Sequence, residues 1–270
     1  MLVVSLGDLL LDVIVRLGEP LAPGADATAT TRTGAGGQAA NVAAWVVALG
    51  AEARCVAKRG NDAAGQLVLA ELEAHGVEVA GPAEGRNGVV VSLVGPNGER
   101  TMASDRGVAP ELAPDELDPA WFASDCLHIS GYALLAAPID AAALRAAELA
   151  RANGARVSVD LSAWTRIREY GPQQFREKLE ALAPDVIFAN EPEWEIVGAA
   201  YGLAPTAVVK RGARGVLVLG EDRAELPARD GDVVDATGAG DALAAGFLVG
   251  GPELAMEAAA RCVARMGAMP

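Results

Sequence analysis

Two histidines and three cysteines in 270 residues leave little for a transition-metal site. Cys55, Cys126 and Cys262 lie far apart in apolar surroundings and read as buried, reduced thiols. Aromatic residues make up only 4%, so Ala, Val and Leu must fill the core of a chain that is 51% hydrophobic. No stretch reaches the ~18 uninterrupted apolar residues that a membrane helix needs. The apolar opening is interrupted by Asp8 and Asp12 and has no basic leader, which argues against a signal peptide. A cytoplasmic protein is expected, with no membrane partner. Basic charge is also scarce, with 22 Lys plus Arg against 36 Asp plus Glu and a net charge of −14. Such a surface repels phosphate backbones and argues against nucleic acid as a partner. A polyanionic small molecule would have to be held by local features, namely backbone N–H groups, a helix N-terminus or Mg²⁺.

Glycine, by contrast, is plentiful at 31 residues, and the length suits one large α/β domain. A buried strand is expected over Leu2 to Leu6, and a helix from about Gln38 to Leu49, stopped by Gly50. From Cys126 onward strands alternate with helices: Cys126 to Ile129, Arg156 to Val159, Val186 to Ala189 and Ala207 to Lys210. This pattern implies a mainly parallel sheet between helices, with ligands at the carboxyl ends of its strands. Strands near 12–33 and 87–104, with a hairpin around Pro96-Asn97-Gly98, do not fit the alternation. They read as a small discontinuous sheet that could cover the site as a lid.

The most distinctive segment is Asp235-Ala236-Thr237-Gly238-Ala239-Gly240-Asp241, followed by a helix over Ala242 to Val249. Small residues admit close backbone approach, and a helix N-terminus offers unpaired N–H groups to a phosphoryl group. Asp241 is either an N-terminal cap or a general base for an attacking hydroxyl, and the residues alone leave both open. Gly36-Gly37 followed by Asn41 could bind vicinal hydroxyls or be an ordinary helix start. Asp8 and Asp12 follow the first strand, as cavity carboxylates or turn residues. Asn190 and Glu193 follow another, Glu193 either holding a magnesium-bound water or opening a helix with Pro192. Lys210, Arg211 and Arg214 are candidates for nucleotide phosphates or a solvated basic turn. No G-x-x-x-x-G-K-[ST] is present, which excludes a P-loop. Gly34-Ala35-Gly36-Gly37-Gln38-Ala39 imitates a dinucleotide fingerprint but follows a polar run instead of a buried first strand.

Taken in order, Gly7-Asp8 with Asp12, Gly36-Gly37 with Asn41, Asn190 with Glu193, and Asp235-x-Thr-Gly-Ala-Gly-Asp241 resemble the ribokinase-like (PfkB) carbohydrate kinases along nearly the whole chain. The resemblance implies a single three-layer α/β/α domain over 1–270 with a small β-sheet lid, which commonly also pairs subunits into homodimers. It implies phosphoryl transfer from ATP to a sugar-like hydroxyl, with Mg²⁺ and in some members a monovalent cation such as K⁺. Asp241 is implied as base, with Gly238, Ala239 and Gly240 around the transferred phosphoryl. Asp8, Asp12, Gly36, Gly37 and Asn41 are implied on the acceptor, and Arg106 resembles a lid-proximal arginine of kinases for keto-acid sugars. Asn190, Lys210, Gly212, Gly215, Thr237 and Gly267 are implied near the nucleotide, and Glu193 near magnesium through water.

The sequence departs from the family pattern in places. Ala236 stands where Thr is common, Gln38-Ala39 where ribokinases have Lys-Gly, and Ser162 where many fructose and ketodeoxygluconate kinases have Asn. The chain stops at Pro270, where family members usually continue into a last helix. The alternatives are a nucleoside kinase on the same fold, with Trp45, Trp164 and Tyr132 available to a base, and a non-catalytic sugar or nucleotide sensor.

Overall fold

The computed structural model describes residues 1–97, 99–199, 202–221 and 223–270. Nine strands form one central sheet: β1 (Leu2–Leu6), β4 (Glu52–Val56), β5 (Glu78–Ala80), β8 (Cys126–Ser130), β9 (Arg156–Asp160), β10 (Val186–Asn190), β11 (Thr206–Lys210), β12 (Val216–Leu219) and β13 (Ala224–Leu226). Their order is β13-β12-β11-β10-β9-β8-β1-β4-β5, parallel from β11 to β5. Only β12 and β13 run antiparallel, as a short edge meander. The strands buried on both faces are rich in Val and Ile, as a sheet covered on both sides requires.

Two apolar clusters, one on each face, follow from that covering. Helices α3 (Ile139–Ala152) and α5 (Pro172–Leu182), with the short α4 (Trp164–Tyr170) and α6 (Glu191–Ile196), pack on one side. Helices α1 (Gln38–Ala48) and α7 (Ala239–Val263) pack on the other, and α2 (Ala63–Ala74) adds to that layer. Helix α1 is buried without a break from Ala39 to Val46, so its small residues let α7 lie close against it. The sequence predicts a helix only to Val249, but α7 continues after a break. Gly250 and Gly251 leave helical geometry, Pro252 restarts the helix, and the chain folds back on itself. A Cβ on Gly246 would stand 2.6 Å from Leu254 O, so the returning half needs glycine there.

The remaining strands form a separate sheet: β2 (Leu10–Leu17), β3 (Ala29–Gly36), β6 (Asn87–Val94) and β7 (Arg100–Gly107), in the order β3-β2-β6-β7. It extends two to three residues past the expected limits, because pairing persists to Leu10 with Gly36 and Asn87 with Gly107. The expected turn residue Gly98 lies outside the described residues. Among the described residues no helix is long and apolar enough to cross a membrane.

Candidate active site

Parallel topology places the carboxyl ends of the central strands in a row, with Ser130 paired to Asp160 and Asn190 to Lys210. The small sheet faces this row, and between them lies a cavity of about 610 Å³. It is lined from the central layers by Asp8, Gly37, Gln38, Asn41, Tyr132, Ser162, Thr237, Gly238 and Asp241. From the small sheet it is lined by Leu10, Asp12, Val90, Arg100, Met102, Ser104 and Arg106. Asp8, Gly37, Asn41, Thr237, Gly238 and Asp241, from segments far apart in the chain, thus come together on one wall.

Asp241 is not a cap. Helix α7 is capped by Gly238, in left-handed geometry with φ 76°, and no side chain satisfies its first turn. A Cβ on Gly238 would meet Ala268 Cα at 2.6 Å, so glycine is required on steric grounds as well. Ala239 N–H donates to Ala236 O at 3.3 Å, whereas the N–H groups of Gly240 and Asp241 keep no partner among the described residues. The Asp241 carboxylate instead accepts from Asn41 Nδ2 at 2.8 Å, joining α7 to α1. Burial pushes its pKa up to about 7, opposed by the hydrogen bond from Asn41, reinforced by Asp160, and opposed again by Lys210 and Gln38. Asn41 is itself 6% exposed, and its Oδ1 has no partner among the described residues. A buried orphan acceptor beside a cavity marks a place for a ligand hydroxyl or a water.

The two glycines before α1 act by making room. A Cβ on Gly36 would stand 2.3 Å from the Asp12 carboxylate, and one on Gly37 would stand 2.3 Å from Asp8 O. Gly37 also has φ 95°. Gly36 does not line the cavity, whereas Asp12, for which it makes room, does. Burial raises the Asp12 pKa to about 6, with Arg100 opposing and Glu71 adding to the rise. Asp8 is 4% exposed and receives a bidentate pair from Arg106, at 2.7 Å from Nε and 2.8 Å from Nη2. Arg106 thereby joins strand β7 of the small sheet to the end of β1.

Asp235 organises the turn before α7. Its Oδ1 accepts from Thr237 N and Thr237 Oγ1, and its Oδ2 accepts from Gly267 N at 3.0 Å. The chain terminus is tied to the same place, because the fully buried Trp45 donates Nε1–H to Ala268 O at 2.8 Å.

Lys210 lies beneath α7, with Nζ 2.6 Å from Asp160 Oδ2. Burial disfavours its ammonium, but Asp160 and Glu193 outweigh that and hold the lysine charged. A Cβ on Gly240 would stand 3.1 Å from Nζ, so the ammonium reaches the open N-terminus of α7. Asp160, fully buried, was not singled out from the sequence; its only signal was an acid at the carboxyl end of a parallel strand.

Asn190 and Glu193 form a reciprocal capping box that opens α6. Glu193 is 2% exposed, and burial raises its pKa. Among the described residues no group of three or more His, Cys, Asp or Glu side chains is placed to hold a metal. Both Glu193 oxygens accept from Asn190, and Asp160 and Lys210 lie in its electrostatic surroundings; a Mg²⁺ that keeps several waters and is held chiefly by substrate phosphates asks for no dedicated cage of protein ligands. Gly212 and Gly215 lie outside the cavity in the β11–β12 turn, where a Cβ on Gly215 would fall 1.9 Å from Leu226 O.

An open helix N-terminus, a cation beneath it and a desolvated carboxylate facing a cavity are the parts of a phosphoryl-transfer site. Comparison with known proteins agrees. The pfkB family carbohydrate kinase model matches residues 1–269, and the chain belongs to that family. The family's members here are sugar and nucleoside kinases, phosphotransferases acting on hydroxyl groups. An ATP-dependent ribose-1-phosphate kinase of Halopiger xanaduensis is 34% identical over 96% of this chain and 90% of its own length. A fructokinase of Klebsiella pneumoniae is 32% identical over 80% of this chain and 76% of its own. Among solved structures, adenosine kinase from Sinorhizobium meliloti superposes with a TM-score of 0.85 at 25% identity, covering 99% of this chain and 95% of that one. A putative ribokinase II from E. coli in complex with ATP and Mg²⁺ superposes with a TM-score of 0.82 at 22% identity, covering 99% and 94%.

Proposed function

We propose that the protein transfers the γ-phosphoryl group of ATP to a hydroxyl of a sugar-like acceptor, with Asp241 as general base. The observation that carries this reading is the setting of Asp241. Its carboxylate faces the cavity at the open N-terminus of α7, tethered by Asn41 and held by burial at a pKa of about 7. A base with that pKa is ionised often enough at neutral pH, and basic enough, to take a proton as the new bond forms.

The acceptor lies in the cavity under the small sheet, which serves as its lid. Asp12 and Asn41 Oδ1 receive its hydroxyls, and Asp8 is held in place by Arg106. The Gly240 and Asp241 N–H groups, with Lys210 below, stabilise charge on the phosphoryl group in transfer. Mg²⁺ carried on the nucleotide would supply further charge neutralisation, and Glu193 would hold one of its waters. Closing the lid excludes water and protects ATP from hydrolysis.

The acceptors named in the relatives range from fructose to ribose 1-phosphate and ribosides, so the test is coupled ADP release over sugars, sugar phosphates and nucleosides with ATP and Mg²⁺. Acceptor-dependent turnover on at least one of them is the expected result. Saturable acceptor binding without turnover would overturn the enzyme reading in favour of a sensor.

A further inference from the structure

Lys210 and Asp160 end strands β11 and β9, which flank β10 in the central sheet. Strand ends two places apart stand about 10 Å from one another. The two side chains close that gap over the end of β10, with Nζ 2.6 Å from Asp160 Oδ2. The other oxygen of Asp160 is engaged as well, Oδ1 accepting from Ser162 N at 3.3 Å. Ser162 has left-handed geometry, φ 73°, and its Oγ lies 2.8 Å from Asp160 O. The turn after β9 thus fixes the carboxylate that the lysine meets. An ammonium has three donors, and Lys210 spends one on Asp160; the others keep no partner among the described residues. A Cβ on Gly240 would stand 3.1 Å from Nζ, 3.7 Å from Cδ and 3.8 Å from Cε, so the lysine stem lies along the first turn of α7.

Asp160 is fully buried, and the Lys210 side chain is only 15% exposed. A buried ion pair is a poor way to stabilise a fold, since apolar side chains of like volume usually serve as well or better. A pair in this place therefore points to a role in the site. Burial disfavours the ammonium, and Asp160 on β9, Glu193 on α6 and Asp241 on α7 hold it charged. The nearby His128 of β8 is kept neutral, burial pushing its pKa down to about 4. Of the three acids only Asp160 bonds the ammonium among the described residues. Glu193 accepts from Asn190 instead, and Asp241 from Asn41.

We propose that Asp160 is a positioning residue of the transfer reaction, acting through Lys210, whose ammonium it aims at the phosphoryl group at the N-terminus of α7. This inference rests on the kinase reading and deepens it by adding a residue to that site.

A double-mutant cycle on Asp160→Asn and Lys210→Met tests it, with kcat and KM measured on the best acceptor with ATP and Mg²⁺, and melting recorded for each protein. Asp160→Asn keeps the shape of the side chain and removes its charge. It should lower kcat about 10- to 100-fold and leave the acceptor KM within about 3-fold of wild type. Made in Lys210→Met, the same change should cost less than about 3-fold, because the residue through which Asp160 acts is gone. It should also raise the melting temperature there, by removing a buried unpaired charge. A kcat–pH profile adds a reading that a merely structural role would not move. Without Asp160 the buried lysine gives up its proton at lower pH, so Asp160→Asn should lose kcat as pH rises above about 8, where the wild type holds its plateau. Equal losses in both backgrounds, or an unchanged kcat in a folded Asp160→Asn, would overturn the proposal. If Asp160→Asn does not fold alone, Lys210→Met compared with the double variant still decides: equal kcat supports the proposal, and a further loss of about 10-fold or more overturns it. If the wild type turns over no acceptor, the kinase reading fails by itself and the inference is read from calorimetric titration with ATP and Mg²⁺. Affinity that falls above about pH 8 in Asp160→Asn alone supports it, and matching pH profiles in the two proteins overturn it.

Discussion

At the scale of single residues, burial sets what the Asp241 carboxylate can do. Asp241 near the N-terminus of a helix would ordinarily be stabilised as an anion. Here desolvation outweighs that, and the pKa rises to about 7. The base is active when deprotonated, so kcat/KM for the acceptor should rise with pH and level off above an apparent pKa near 7. The hydrogen bond from Asn41 lowers the Asp241 pKa, so Asn41→Leu should move that limb to higher pH as well as weaken acceptor binding. A pH profile of the two proteins checks this; an unmoved limb would mean that another group sets it. The sequence alone left Asp241 balanced between cap and base, because spacing cannot show where a side chain points. Asp160 gave only a weak signal, and Arg166, on the cavity wall, only that of an arginine soon after it.

At the scale of elements, the chain's glycines explain why two helix N-termini can open onto one cavity. Helix α1 begins at Gly37 and α7 at Gly238, neither with a side-chain cap, and each glycine lies where a Cβ would collide with backbone. Gly37→Ala adds left-handed strain to a 2.3 Å overlap with Asp8 O. It should cost at least about 1–3 kcal/mol of stability and displace Asp8 from Arg106. Thermal or urea unfolding, read together with the acceptor KM, measures both effects. The Thr237-Gly238-Ala239-Gly240-Asp241 run was legible because its pattern is specific to the family it resembles, whereas Gly36-Gly37 taken alone read equally as an ordinary helix start. The β12–β13 meander and the second half of α7 were less so. The meander strands have only four and three residues, and Gly250-Gly251-Pro252 reads as a stop although the chain restarts the helix and folds back.

At the scale of the whole molecule, the small sheet is tied to the main body by a few polar links. Arg106 reaches Asp8, Arg100 approaches Asp235, Arg32 donates to Met266 O at 3.3 Å, and Ala35 N–H donates to Glu71 at 2.7 Å. Few buried apolar side chains join the two parts, the third core cluster comprising only Leu10, Val90 and Ala109. A cover held by polar links opens at lower free energy than the core. Amide exchange in β3 and β7 should therefore be faster than in β1 and β8, and should slow when acceptor and nucleotide bind. Equal protection with and without ligands would contradict a moving lid. The alternation of strand and helix made the main sheet legible from composition and periodicity. The small sheet was legible as the part that broke the alternation, with its limits short by a few residues because strand ends are set by pairing partners distant in sequence.

The central claim is that Asp241 takes the proton of the attacking hydroxyl, and Asp241→Asn tests it most directly. The amide preserves shape and can still accept from Asn41, but it cannot serve as a base at neutral pH. Measured on the best acceptor with ATP and Mg²⁺, kcat should fall by roughly 10²–10⁴-fold, the range general-base catalysis supplies, while acceptor binding and the melting transition persist. A variant that folds, binds the acceptor and keeps most of its turnover would contradict the account.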